Sequence, residues 1–180
     1  YDQSFRKSPI KQIFNFACDR GGIGYITSHQ VNPLLSSLIN THLLQAAVDY
    51  KVEKYLFSSS VGVYNNHLFD KEQNKWVKEE DVIPANPNET YGWEKLFGEI
   101  MCEAFKKEYK LDTRIVRFNT VYGGFESYND EREKCPVALM RKCIEAKLNN
   151  TKTIEIWGGG DQRRIFFNIK DCVKAIHAVM

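Results

Sequence analysis

Strand-like runs alternate with helical patterns along these 180 residues, and that alternation leaves few architectures open. "QIFNFAC" (12–18) reads as a buried strand, "KYLFSSS" (54–60) as a second and "TRIVRF" (113–118) as a third. Between the first two, residues 33–50 carry Leu35, Leu38, Ile39, Leu43, Ala46 and Ala47 at a helical period. Between the second and third, Trp93, Leu96, Phe97, Ile100, Met101, Ala104 and Phe105 form one apolar stripe, with Asn88 or Thr90 as its cap. Residues 65–88 are polar and hold Pro84 and Pro87, so they read as a long surface loop. Strands joined in turn by helices pair in parallel, which predicts an α/β fold with a parallel sheet and flanking helices.

The remainder continues the pattern more weakly. Residues 123–134 form a charged loop, 136–147 a helix with Pro136 in its first turn, and 171–180 a last helix. "TIEIW" and "RIFFNI" read as short strands around the turn "GGGDQ". Parallel sheets bind ligands at the carboxyl ends of their strands. That rule brings residues 18–24, 58–64 and 119–123 to one common edge.

Bulk properties exclude several classes of function. The formal net charge of +2 gives no field suited to nucleic acid or membrane lipid. Cys18, Cys102, Cys135, Cys143 and Cys172 show no Cys-x-x-Cys spacing, which points to reduced thiols and no metal site. His29, His42, His67 and His177 show no ligand spacing either. No run approaches eighteen apolar residues and the first residues lack an apolar signal core, so a cytoplasmic protein is expected. The chain opens almost directly on a strand-like segment, as a part of a longer protein would.

The chemistry concentrates at the predicted edge. In "YGWEK", Tyr91 and Lys95 are four residues apart and share one helix face. An ammonium beside a phenol favours phenolate and fits Tyr91 for acid/base work. Ser58, Ser59 and Ser60 end the second strand. At least one of them is expected to bond the turn backbone, while Ser60 can polarise a substrate oxygen beside Tyr91.

"FSSSVGVY", "YGWEK", "VRFNTVYG" and "IWGGGDQRRIFF", in this order, resemble the extended short-chain dehydrogenase/reductases, the NAD-dependent epimerase/dehydratase family. "NFACDRGGIGYI" and "REKCPVALMRK" narrow the resemblance to the GDP-mannose 3,5-epimerases. The resemblance implies a Rossmann-like sheet. It implies one domain over 1–180: the C-terminal part of an NAD(P)-binding domain, with the substrate lobe starting near 123–167. It also implies NAD, a nucleotide-diphosphate sugar as substrate and a homodimer. Carried over by position, Tyr91 deprotonates the sugar 4-hydroxyl, Ser60 binds the developing ketone, and Lys95 tunes Tyr91 and holds the nicotinamide ribose. Cys18 and Ser58 join Tyr91 and Lys95 as cofactor contacts. Lys134 matches one of two proton-exchange residues. Gly21, Gly22, Thr120, Lys142, Gln162 and Arg164 fall at substrate-contact positions.

The chain departs from that pattern at informative places. Gly62 stands where the 3,5-epimerases carry their second proton-exchange residue, a cysteine. Cys18, Cys135 and Asp19 are the reserve candidates. Thr120 replaces a usual Asn, and Gly159 a common Asp. The Gly-x-x-Gly-x-x-Gly phosphate loop is absent from these residues, and "GGIGY" follows a later strand. Three readings therefore stand: a 3,5-epimerase, a 4-epimerase or 4-keto reductase that needs no carbon acid/base pair, and a non-catalytic interaction module.

Overall fold

A computed structural model describes residues 9–69, 77–87, 89–159 and 164–180. Three parallel strands form the main sheet: β1 (Gln12–Asn15), β2 (Lys54–Ser60) and β3 (Asp112–Phe118), in the order β1-β2-β3. Lys54 pairs with both Gln12 and Asp112, so the three strands run in one direction with their carboxyl ends together. A short helix α1 (Ile23–Ser28) and a long one, α2 (Val31–Asp49), connect β1 to β2. Helix α3 (Thr90–Tyr109) leads into β3. The first strand is shorter than its apolar run, because the chain turns out of the sheet after Asn15.

β2 is central, and Tyr55, Leu56 and Phe57 are buried, Tyr55 and Phe57 in the core beneath α2 and α3. Leu44, Ala47, Val52, Tyr55, Phe57 and Cys102 belong to one core cluster. A buried polar knot ties β1, β2 and α2. The Tyr55 hydroxyl donates to Asn40 Oδ1 at 2.7 Å, and Asn15 Nδ2 donates to Tyr55 Oη at 2.8 Å. Such satisfied interior groups fix register as well as position.

The helices bury only part of the apolar stripe that their periodicity predicts: Leu96 and Ala47 are buried and Leu43, Met101 and Phe105 pack against the core, while other stripe residues face out. On α3 the buried residues include Gly92, Lys95, Leu96, Gly98, Glu99 and Cys102, whereas Trp93, Phe97 and Ile100 are about half exposed at 46%, 51% and 57%. On α2, Ser36, Asn40, Leu44 and Ala47 face inward, and Leu35, Leu38 and Ile39 face out. The cause is close approach. A Cβ on Gly98 would lie 2.3 Å from Phe57 Cζ, so only a glycine lets α3 sit this near β2. The cap also differs from expectation. Glu89 occupies the N-cap without a side-chain bond, and the Thr90 hydroxyl donates instead to the Gln30 carbonyl at 3.0 Å. Asn88 lies outside the described residues.

A second, two-stranded parallel sheet pairs β4 (Thr120–Tyr122) with β5 (Phe166–Asn168). α4 (Cys135–Leu148) lies between these two strands in sequence, and α5 (Ile169–Val179) follows β5 and packs against both. The sequence pattern missed β4, whose three residues are too few to show a period. The expected strand "TIEIW" does not form, and Trp157 is 70% exposed rather than in a core or sheet edge. Asn168 caps α5, its side chain accepting from Lys170 N at 2.9 Å. All five cysteines are free, and no helix among the described residues is long and apolar enough to cross a membrane.

Candidate active site

Ser60 is the last residue of β2 and leaves it in extended backbone. Its hydroxyl accepts from Gly62 N at 3.1 Å and so closes the turn Val61–Val63. That is the turn-bonding role expected of at least one of the three serines. The Ser60 hydroxyl also acts on the Tyr91 phenol, lowering its pKa against the effect of burial. Ser59 is committed elsewhere: its hydroxyl donates to buried Glu99, which Arg117 grips through Nε at 2.9 Å and Nη2 at 2.7 Å. Ser58 is half-buried.

Tyr91 sits in the first turn of α3, clamped against the β2 turn. A Cβ on the next residue, Gly92, would fall 2.3 Å from the Gly62 carbonyl oxygen and 2.7 Å from Pro87 Cβ. Lys95 is buried one turn on, its Nζ 5.7 Å from the centre of the Tyr91 ring and 5.1 Å from that of Phe57. The buried carboxylate of Glu94 lies 3.5 Å from that ammonium. Burial, and then the nearby Cys18, push the Tyr91 phenol up; the Ser60 hydroxyl and Arg20 oppose them without reversing the direction.

The loop after β1 packs against the segment that precedes α4. Arg132 pairs with Asp19, donates to the Arg20 carbonyl at 3.1 Å and to Tyr25 Oη at 2.7 Å. Gly22 N donates to the Arg132 carbonyl at 3.2 Å, and a Cβ on Gly22 would lie 2.4 Å from the Glu133 oxygen. A Cβ on Gly21 would strike the Tyr25 side chain at 2.7 Å. "GGIGY" is therefore a close-packed turn leading into α1, and Asp19 is one half of an ion pair.

Lys134 follows directly as the N-cap residue of α4, and its Nζ donates to the Val121 carbonyl at 3.2 Å. Burial and then Arg20 hold its ammonium below the ordinary lysine value, while Glu126 and Cys18 pull it back. Cys18 and Arg20 thus act electrostatically on both Tyr91 and Lys134. Cys135 is exposed.

The remaining candidates spread outward. Lys142 donates to the Glu155 carbonyl at 2.9 Å, and its ammonium stands 5.8 Å from the Trp157 ring centre. Trp157 in turn covers α1, 3.2 Å from where a Gly24 Cβ would be. Thr120 opens β4, and Arg164 is exposed just before β5. Gln162 lies outside the described residues. Arg20, Arg132 and Glu126 went unnoticed in the sequence. The "REK" triplet was the available signal for Arg132, and nothing marked the other two.

A parallel sheet with Ser, Tyr and Lys gathered at its carboxyl edge defines a Rossmann-like protein of the short-chain dehydrogenase/reductase class. The chain belongs to the NAD dependent epimerase/dehydratase family, whose model matches residues 2–180. It is similar to a GDP-mannose 3,5-epimerase of Arabidopsis thaliana, 34% identical over 93% of this chain and 44% of that protein. An uncharacterized UDP-glucose epimerase, YtcB, of Bacillus subtilis (strain 168) is 33% identical over 77% of this chain and 38% of its own length. Among solved structures, a GDP-L-fucose synthetase from Naegleria fowleri superimposes with a TM-score of 0.80 at 20% identity, over 99% of this chain and 54% of the other. The chain spans less than half the length of these two sequence relatives.

Proposed function

We propose that the chain carries the catalytic acid/base half of an NAD-dependent nucleotide-sugar epimerase that works by transient oxidation at C4, most like a GDP-mannose 3,5-epimerase. The carrying observation is that Tyr91 packs against the turn that Ser60 closes, with the Lys95 ammonium 5.7 Å from its ring centre. Tyr91 accepts the proton of the sugar 4-hydroxyl. Its burial opposes phenolate, and the Lys95 ammonium is the counter-charge a phenolate requires. Ser60 donates to the oxygen that becomes the ketone, and Lys134 exchanges a proton at a carbon beside it.

The residues present fit the nicotinamide end of NAD. The buried ammonium of Lys95, balanced by Glu94, lies within one turn of Tyr91 at the carboxyl edge, where such cofactors bind. Lys95, Tyr91, Ser58 and Cys18 would hold that end. The chemistry a bound NAD supplies is reversible acceptance of hydride from C4. No glycine loop for its pyrophosphate occurs in these residues. On this reading residues 1–180 are the C-terminal part of the NAD(P)-binding domain. The substrate lobe begins near 123–167, and Gly21, Gly22, Thr120, Lys142, Gln162 and Arg164 meet the nucleotide sugar. The exposed apolar faces of α2 and α3 join two copies as a homodimer.

Gly62 favours a second reading, a 4-epimerase or 4-keto reductase, because it leaves Lys134 without a partner thiol. Incubating the full-length protein with GDP-mannose in deuterated water separates them. Deuterium at C3 or C5 supports the 3,5-epimerase, inversion at C4 without deuterium supports the second reading, and no turnover of any nucleotide sugar rejects both.

A further inference from the structure

We propose that Glu126 is the positioning residue for the Lys134 amine, fixing where the ammonium sits and holding its proton. The inference rests on Lys134 being a proton-exchange group, but its geometry stands apart from that role. Glu126 Oε1 lies 3.6 Å from Lys134 Nζ, and the two side chains are only 14% and 22% exposed. Both carboxylate oxygens of Glu126 are shut off from solvent, and among the described residues neither is in hydrogen-bond range of a donor, the Lys134 ammonium standing just beyond it. A carboxylate so placed is costly unless a cation compensates it.

The neighbouring charges leave this pairing to Glu126. Arg20 and Cys18 face Lys134 from the loop after β1, and Glu126 faces it from the segment between β4 and α4. Asp19 is engaged by Arg132, and Glu133 by Arg141. Among the described residues that act on Lys134, Glu126 is the carboxylate that offsets Arg20. An ammonium has three donors. One goes to the Val121 carbonyl and one points to Glu126, which leaves one for a ligand. Glu126 thereby orients the third N–H.

Lysine acylation tests this without turnover. Full-length protein is treated with acetic anhydride across a pH series, and Lys134 modification is followed by mass spectrometry against exposed Lys11. In Glu126→Gln the Lys134 inflection should move to lower pH, raising its labelling near neutrality about tenfold, the effect of one pKa unit. Glu126→Asp should restore most of the wild-type profile. An unmoved inflection in Glu126→Gln overturns the proposal. If that variant does not fold, Glu126→Gln/Lys134→Met decides: a recovered cooperative melt supports the pair, and no recovery overturns it. A shifted inflection in a protein that turns over no nucleotide sugar refutes only the epimerase reading. An unshifted one in an active epimerase refutes only the role of Glu126.

Discussion

A Cβ placed on Gly62 would lie 3.8 Å from Cδ1 and Cε1 of Tyr91 and 3.4 Å from Ser60 Oγ. Those are ordinary packing distances, and no left-handed backbone protects the glycine. The residue that separates this chain from the 3,5-epimerase pattern therefore opens directly onto the phenol and is not required by the fold. Gly62→Cys should fold with a melting temperature close to that of the wild type. In the full-length protein it should also start or increase solvent deuterium incorporation at C3 or C5. A melting temperature depressed by many degrees would show that the glycine is structural after all.

Tyr91→Phe separates chemistry from stability. The Ser60 hydroxyl keeps its bond from Gly62 N, so losing the phenol oxygen should cost about 1 kcal/mol of stability. Loss of a general acid/base group costs about 10²–10⁴-fold in turnover. Melting curves and initial rates on the same preparation measure both, and an unchanged rate removes Tyr91 from the mechanism.

Gly92→Ala should be damaging although alanine is the better helix former. Propensity favours the alanine by about 1 kcal/mol. Against that, its methyl would meet the Gly62 oxygen at 2.3 Å and Pro87 at 2.7 Å, and overpacking of this kind costs about 1–3 kcal/mol. The clash wins, and it should push the Tyr91 turn away from Ser60. Both the melting temperature and the turnover of Gly92→Ala are expected to fall together.

The order of strands and helices was legible because each strand is short, apolar and bounded by a helical period. β2 in particular runs over Lys54–Ser60, the limits its composition predicts. Which helix face turns inward was not legible. Apolar periodicity marks a face to be buried but not the surface that buries it. Gly98 on α3 and Asn40 on α2 approach β2 beside Leu44, Ala47 and Cys102, and part of the apolar stripe is left outside. At the site, a strand end and helical spacing singled out Ser60, Tyr91 and Lys95, whereas Lys134 came only from the resemblance that "REKCP" carries. Glu99 with Arg117, and Glu126 with Lys134, are pairings between residues distant in sequence, and no single motif contains both partners.

That exposed stripe carries its own prediction. Leu35 and Leu38 on α2, and Phe97 and Ile100 on α3, are each more than half exposed, and the two helices belong to the same layer over the sheet. If they form the homodimer contact, Phe97→Glu should convert the full-length protein to monomer in sedimentation equilibrium, with an unchanged far-ultraviolet spectrum. A dimer that survives this charge uses another surface.

The loop after β1 should loosen in acid. Burial alone would raise the Asp19 carboxyl, but hydrogen bonds from Arg132 and Tyr25, with the Arg132 charge, outweigh it and hold the group below its ordinary value. A carboxyl lowered in the folded state contributes stability that is complete above the unfolded value of about 3.9. That contribution is lost as pH falls through the lower, folded value. Asp19→Asn should therefore melt below the wild type near neutral pH, and the gap should narrow as the solution is acidified past the aspartate range. The loop holds Gly22 against the residues that present Lys134, so the variant should also weaken turnover near neutral pH, where its stability deficit is largest. Thermal melts of both proteins across an acid series measure the gap, and a gap that stays constant with pH would mean that the Asp19–Arg132 pair contributes nothing to folding.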